Sequence, residues 1–160
     1  MQATASIVET TFDLQEPVRS LLREKGHAIW SISPEDSVYE AVEQMSERHI
    51  GSLLVLSAGA LAGIVTERDY ARKVVLKGRH SKDTQVREIM TTPVLYVTPE
   101  KTIGECMRLM LSRRIRHLPV MEGDKVAGMV SIGDLVNWII TSQDQTIRHL
   151  TGYITGTYPG

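Results

Sequence analysis

The chain has 160 residues, 42% hydrophobic and 23% charged, with a formal net charge of -1. This is enough chain to bury a real core, which excludes a disulfide-stapled miniprotein; no run approaches the roughly 20 apolar residues of a membrane span. Near-neutrality supplies no broad attraction for nucleic acid, so neither a nucleic-acid partner nor a membrane is expected. The start, MQATASIVETTFD, lacks the basic residues and apolar stretch of a secretory signal, and Cys106 has no second cysteine to pair with. A reducing cytoplasm is the expected location, with residues 1–13 flexible.

Val18 to Lys25 predicts a short helix, and Ala28 to Ile32 a strand. Ser33-Pro34-Glu35-Asp36-Ser37 then offers capping and acidic groups before Val38, Ala41, Val42 and Met45. Their spacing of three and four predicts an amphipathic helix ending near His49. Ser52 to Leu56 is a short apolar run that reads as a buried strand, and Ser57-Ala58-Gly59 turns the chain into a second strand, Leu61 to Thr66. Glu67 to Leu76 predicts a closing helix, stopped by Gly78. Residues 77–85 form a polar linker. Beyond it come a short helix over Val86 to Met90 and a strand over Leu95 to Val97. A helix from Ile103 to Arg113, strands over His117 to Met121 and Val126 to Ser131, and a helix from Ile132 to about Thr141 follow. The tail, 142–160, carries Ile147, Leu150, Tyr153 and Ile154 at near-helical spacing and predicts one more docked helix with a frayed end.

The chain repeats itself. Residues 33–70 align with 98–135 at a constant offset of 65 without a gap, and about a dozen of the 38 pairs are identical. Pro34 meets Pro99, Met45 meets Met110, Gly63 meets Gly128 and Asp69 meets Asp134. The expected fold class is therefore α/β (α+β): two tandem β-α-β-β-α repeats, over 14–76 and 86–141, packed as a pseudo-twofold pair because each alone has a small core.

The Ser/Thr-Pro start, the "HLPV" strand, the Gly-apolar-Val-Thr/Ser turn and the closing Thr/Ser-x-x-Asp resemble the CBS domain, named for cystathionine beta-synthase. Ile64-Val65-Thr66-Glu67-Arg68-Asp69 and Met129-Val130-Ser131-Ile132-Gly133-Asp134 carry the signature in both copies. The resemblance implies a CBS pair, or Bateman module, of the small stand-alone bacterial type. Such modules bind adenosine nucleotides in clefts between the repeats, with AMP or NAD(H) the usual ligand and ATP or S-adenosylmethionine alternatives. It also implies homodimerisation and a regulatory rather than catalytic role, exerted on a protein effector in trans. Carried over residue by residue, the nucleotide-binding set in the first copy is Ala28, Ile29, Trp30, Gly51, Ser52, Leu53, Ile64, Thr66, Arg68 and Asp69. Pro93, Val94 and Leu95 precede the second copy, which supplies Arg116, His117, Leu118, Pro119, Met129, Ser131, Gly133 and Asp134.

The residues support this on their own chemistry. Thr66 and Ser131 stand where a strand gives way to a helix, so a hydroxyl and unpaired N–H groups converge on a place suited to phosphate. Asp69 and Asp134 follow in the first turn, where a carboxylate can accept from two ribose hydroxyls. The plainer reading is a capping box, and its recurrence in both copies favours a site. Pro119 lacks an N–H and so implies a strand edge or an interrupted ladder beside an adenine slot. Arg113, Arg114, Arg116 and His117 form the dense basic cluster, and in related modules the positions of Arg116 and His117 face phosphates. A solvated helix end is the alternative. The first copy has Gly51 and Ser52 there, so unequal sites are expected, with Arg68, Arg72 and Lys73 as substitute charges.

Other chemistry fails on spacing. The five histidines, including His27, His49, His80 and His149, show no ligand spacing, so no metal is expected. Cys106 stands opposite Ala41 and reads as a small buried hydrophobe. Phosphate-loop, dinucleotide-fingerprint and nucleophile-elbow motifs are missing, so no catalytic residue is assigned. A structural dimerisation unit with vestigial pockets, or a nucleotide-processing enzyme, are the rival functions. Val38, Val42, Met45, Met107 and Leu111 are the apolar helix positions expected to seek a second chain.

Overall fold

The computed structural model describes residues 14–142, so the expectations for 1–13 and for the tail beyond 142 lie outside the described residues. The elements are α1 (Val18–Lys25), β1 (Ser31–Ile32), α2 (Val38–Arg48), β2 (Ser52–Ser57), β3 (Ala60–Thr66), α3 (Glu67–Tyr70), α4 (Ile103–Arg113), β4 (His117–Glu122) and β5 (Lys125–Ser131). A final helix, α5, runs over 132–142. The offset of 65 survives folding: α2, β2 and β3 begin and end 65 positions before α4, β4 and β5. Cap chemistry repeats with it. Ser37 Oγ accepts from the Glu40 N–H and Thr102 Oγ1 from the Glu105 N–H, while both helices end in a left-handed residue, His49 and Arg114.

Some elements differ from expectation. The closing helix of the first copy is α-helical only through Tyr70 and widens into a π turn over Ala71–Val75, in which the Leu76 N–H reaches back to the Ala71 carbonyl at 3.0 Å. The helix expected over Val86 to Met90 is a 3-10 turn, Val86–Glu88. The strand expected over Ala28 to Ile32 shrinks to β1, which pairs parallel with β2 through Ser31↔Leu54 and Ile32↔Val55. Its counterpart over Leu95 to Val97 shrinks further, to a bridge between Val97 and Val120. Proline explains that difference. The Leu54 N–H donates to the Trp30 carbonyl at 3.1 Å, and Pro119, 65 positions later, has no N–H to make the equivalent bond.

Packing divides the chain into two compact units, and neither is continuous in sequence. In one, Val18, Leu21 and Leu22 of α1 are buried with Val97, Ile103, Cys106, Met110, Leu118, Val120, Val130 and Leu135. In the other, Val86 and Ile89 are buried with Ile32, Val38, Ala41, Met45, Leu53, Val55, Val65 and Val74. The leading helix of the first repeat therefore completes the core of the second, and the segment leading the second completes that of the first. Backbone bonds fasten each. The Val18 N–H donates to the Lys101 carbonyl at 2.7 Å and the Ile103 N–H to the Glu16 carbonyl at 2.9 Å. In the other unit the Val38 N–H donates to the Thr84 carbonyl at 2.8 Å and the Val86 N–H to the Asp36 carbonyl at 2.9 Å.

Both repeat glycines are required by this arrangement. A Cβ on Gly128 would meet Leu22 Cδ2 at 2.7 Å; one on Gly63 would meet Met90 Sδ at 2.7 Å and the Thr91 carbonyl oxygen at 3.1 Å. A side chain at Gly63 would press on the backbone of the exchanged segment, and one at Gly128 would require the end of the Leu22 side chain to shift. The apolar helix faces expected to need a second chain are largely satisfied internally. Val38 and Met45 are buried, Val42 and Met107 pack against the cores, and of the five only Leu111 stays well exposed, at 65%. Cover by the Val18–Lys25 helix was the alternative to a second chain, and in the structure α1 supplies it in one unit and the segment around Val86 in the other.

Candidate functional site

In the unit built on the first repeat, Thr66 caps α3, and the anticipated Thr-x-x-Asp constellation closes on itself. The Asp69 N–H donates to Thr66 Oγ1 at 3.1 Å, and Asp69 Oδ2 accepts from the Thr66 N–H at 3.0 Å and from the Thr66 hydroxyl at 3.1 Å. The Thr91 hydroxyl donates to Asp69 Oδ1 at 3.2 Å, and Lys73 Nζ lies 3.0 Å from the same oxygen while also donating to the Ile89 carbonyl at 2.8 Å. Both carboxylate oxygens are thus engaged, and Asp69 is only 7% exposed. The Glu67 N–H is taken by the Gly51 carbonyl at 3.1 Å. In the described state both Asp69 oxygens are bonded within the unit, and a ribose would have to displace Thr91 or Lys73 to reach them. The segment around Thr91, brought in from the other repeat, supplies the closure.

The equivalent constellation in the other unit stays open. The Ser131 N–H donates to Asp134 Oδ2 at 2.8 Å and the Asp134 N–H to Ser131 Oγ at 3.1 Å, so the capping box is conserved in form. Thr91 has no counterpart there. Instead Lys25 Nζ, from the end of α1, lies 2.6 Å from Asp134 Oδ2 and donates to the Met129 carbonyl at 2.6 Å. Asp134 Oδ1 makes no ion pair or backbone hydrogen bond among the described residues, while the Ser131 hydroxyl is engaged with the Asp134 carboxylate. The Ile132 N–H is occupied by the Arg116 carbonyl at 2.9 Å, which leaves the Gly133 N–H as the first-turn donor used by neither device. Gly133 is exposed, whereas Arg68 stands at that position in the first repeat.

Electrostatics follow from this geometry. Burial alone would raise the Asp134 carboxyl, but hydrogen bonds from Lys25 and Ser131 and the Lys25 charge outweigh it and hold it below the usual carboxylate range. Burial, followed by the charge of Lys25, lowers the His117 imidazole; Asp134 opposes this and Arg116 reinforces it. His117 is therefore held neutral near pH 7. Arg116 is exposed beside it in sequence. The Asp134 carboxylate is thus paired with Lys25, and the His117 imidazole feels both of them together with the Arg116 charge. Burial pushes the Cys106 thiol up to about 11, which fits its place in the core of its unit, at the position equivalent to Ala41 in the first repeat, and removes it as a nucleophile at neutral pH.

The remaining expected residues separate by unit. Ala28, Ile29, Trp30, Gly51, Ser52, Leu53, Ile64, Thr66, Arg68, Asp69, Pro93, Val94 and Leu95 all fall in the unit of the first repeat; Arg116 through Pro119, Met129, Ser131, Gly133 and Asp134 fall in the other. Leu53 and Leu118 are fully buried core residues, so neither side chain faces a ligand. Both backbone groups of Ile64 facing Thr91 are paired, the N–H donating at 3.1 Å and the carbonyl accepting at 2.8 Å. The Pro119 carbonyl likewise accepts from the Val97 N–H at 3.0 Å, so the ladder is interrupted at the proline as expected but that carbonyl is not spare. Trp30 is 43% exposed, with the Arg48 guanidinium 3.6 Å from its ring centre. Lys25 was not anticipated. Its sequence position sets it with the first repeat, and only the exchange of α1 carries it to Asp134.

Among the described residues no helix is long and apolar enough to cross a membrane, and no cluster of three or more His, Cys, Asp or Glu could hold a metal ion. Comparison with known proteins points one way. The plant CBS domain-containing protein CBSX3, mitochondrial, from Arabidopsis thaliana is 43% identical over 138 residues, 83% of this chain and 66% of that protein. The chain thus spans just under two thirds of that relative's length. A solved structure from Burkholderia ambifaria, described provisionally as a signal-transduction protein with CBS domains, is 50% identical with a TM-score of 0.77, covering 80% of this chain and 96% of that one. A hexameric CBS-CP12 protein from bloom-forming cyanobacteria is 30% identical with a TM-score of 0.68, covering 76% of this chain and 69% of its own. The CBS-domain family model matches residues 18–76 and 86–141, the two repeats found by offset, and the chain belongs to the CBS-domain family.

Proposed function

We propose that the chain is a regulatory module that binds an adenosine nucleotide, AMP or NAD(H) in preference to ATP or S-adenosylmethionine, and acts on a protein partner in trans. The observation that carries this reading is the set of uncommitted polar groups at the start of α5. Asp134 Oδ1 is an acceptor for a ribose hydroxyl, and the Gly133 N–H is a donor for phosphate. Arg116 adds cationic charge. A half-open cluster with one carboxylate and several cations suits a ligand that carries both vicinal hydroxyls and negative charge. Signalling follows if two arrangements of the module differ in affinity for that ligand. The sealed state of Asp69 favours one principal site, in the unit holding Asp134, and a weaker or unused one in the other. A cytoplasmic, non-catalytic role accords with this reading.

Thermal melting against AMP, ADP, ATP, NAD, NADH and S-adenosylmethionine tests it, because a ligand at 100 times its dissociation constant adds about 2.7 kcal/mol. AMP is expected to stabilise, 2'-deoxy-AMP to do so less, and Arg116→Ala to weaken the tighter class of site in titration calorimetry. No shift with any nucleotide would leave a purely structural dimerisation unit as the better reading. Turnover of a nucleotide would indicate an enzyme.

Homodimerisation belongs to the same proposal. Leu111 on α4, with Val136 and Ile140 one turn apart on α5, are the large apolar side chains that this unit leaves exposed among the described residues, and a hexameric relative supports self-association in the family. Light scattering giving a mass near the 17.9 kDa of one chain, with and without AMP, would remove the dimer.

A further inference from the structure

We propose that Lys25 is an exchangeable counter-ion that makes the Asp134 site selective for phosphorylated over uncharged nucleosides. The inference rests on the nucleotide-binding reading above. In the described state the Lys25 ammonium occupies Asp134 Oδ2 and the Met129 carbonyl, and Ser131 donates to that same carboxylate oxygen. Two vicinal ribose hydroxyls pair best with both oxygens of one carboxylate, and Oδ2 is already taken by Lys25 and Ser131. A neutral nucleoside can displace Lys25 from Oδ2 only by leaving an ammonium without its counter-ion, which is unfavourable at a site already bearing Arg116. A phosphate brings its own negative charge. It can receive the ammonium as the hydroxyls receive the carboxylate, so both ions stay paired throughout the exchange.

The anatomy of the residue allows this movement. Lys25 is the last residue of α1, its side chain is 37% exposed, and Gly26 follows with φ 98, a left-handed conformation open to glycine. A cation borrowed from the other repeat is found in one unit only. Met90 occupies the equivalent position in the other repeat, where it packs against Gly63, and Asp69 is held by Thr91 and by Lys73 from its own helix. Lys25 and Ser131 act on Asp134, and Lys25, Asp134 and Arg116 act on His117, with no second carboxylate among these groups. The exchange would therefore move charge from α1 onto the ligand and loosen the tie between the end of α1 and β5.

Calorimetric titration of the full chain with AMP and with adenosine, for the unaltered protein, Lys25→Met and Lys25→Arg, tests the proposal. The unaltered protein should prefer AMP, Lys25→Met should cut the AMP-to-adenosine affinity ratio by about tenfold, the scale of one charged hydrogen bond, and Lys25→Arg should retain most of it. Melting of each variant without ligand establishes that it folds, and Lys25→Gln replaces Lys25→Met if the latter does not. An equal loss for both ligands would show that Lys25 only supports the fold, and an unchanged ratio would show that it plays no part in recognition; either overturns the proposal. Failure of the unaltered protein to bind AMP or adenosine at all would instead overturn the nucleotide-binding reading, and this inference with it.

Discussion

Asp69 and Asp134 occupy the same place in two copies of one motif and have opposite surroundings. The first is buried, with both oxygens occupied by Thr66, Thr91 and Lys73; the second has one oxygen open and the other held by a flexible lysine and a backbone N–H. The motif alone does not decide between cap and site. That decision lies with the segment packed beside it, and each unit borrows that segment from the other repeat. A threonine borrowed from 86–91 satisfies the carboxylate with a neutral hydroxyl and seals it, while a lysine borrowed from α1 satisfies it with a charge that can leave.

Removing the carboxylates should break this equivalence most visibly. Asp69→Ala discards a cap and several buried hydrogen bonds to a charged group, and should cost about 2–3 kcal/mol of stability. Asp134→Ala discards a cap at a half-exposed site and should cost about 1 kcal/mol without ligand, while lowering nucleotide affinity. Chemical denaturation of both variants checks the order. If Asp134→Ala proved the more destabilising and Asp69→Ala the more damaging to binding, the assignment of cap and site would have to be reversed.

The glycines sharpen the same comparison at smaller scale. Gly63→Ala drives a methyl against backbone at the Thr91 carbonyl as well as against Met90, and should cost about 1–3 kcal/mol, as overpacking does. Gly128→Ala meets only the end of the Leu22 side chain, which can change rotamer, so its cost should fall at or below the lower end of that range. Equal losses in denaturant midpoint would mean that the two borrowed segments are held equally firmly.

The repeat, the capped helices α2 and α4 and the hairpins were legible in the sequence, because capping hydroxyls, three-and-four spacing and a gapless offset are local signals. The exchange of leading segments was not. Val18, Leu21 and Leu22 announce an apolar stripe without naming the core it joins, and chain order suggests the nearer one. Misplacing α1 concealed Lys25, misplacing the segment around Val86 left Val38 and Met45 looking exposed, and the two together made Asp69 and Asp134 look alike. The π turn after Tyr70 was also hidden, since Glu67 to Leu76 carries ordinary helical residues. The ladder defect at Pro119 was readable because proline removes a donor wherever it stands.

Acidity should separate the two units by the least amount, through His117, whose counterpart in the first repeat is Ser52, which does not titrate. Burial and the charges of Lys25 and Arg116 hold the imidazole below its usual 6.5, with Asp134 only partly opposing them. The unfolded chain therefore binds a proton at this residue at a higher pH than the folded one, and folding stability falls as pH drops below about 6.5 toward the lower folded value. The carboxylate adds a separate loss at more acid pH: Asp134 is held below 3.8, so its stabilisation is present above that value and disappears as pH falls through the lower folded one. His117→Gln removes the first loss and leaves the second. Its melting temperature should decline less between pH 7 and pH 5.5 than that of the unaltered protein, with a difference of about 1 °C, the scale of a few tenths of a kcal/mol in a chain of this size. Identical declines would show that the imidazole is free to take up its proton in the folded chain, and that Lys25 and Arg116 are too well screened to keep it neutral.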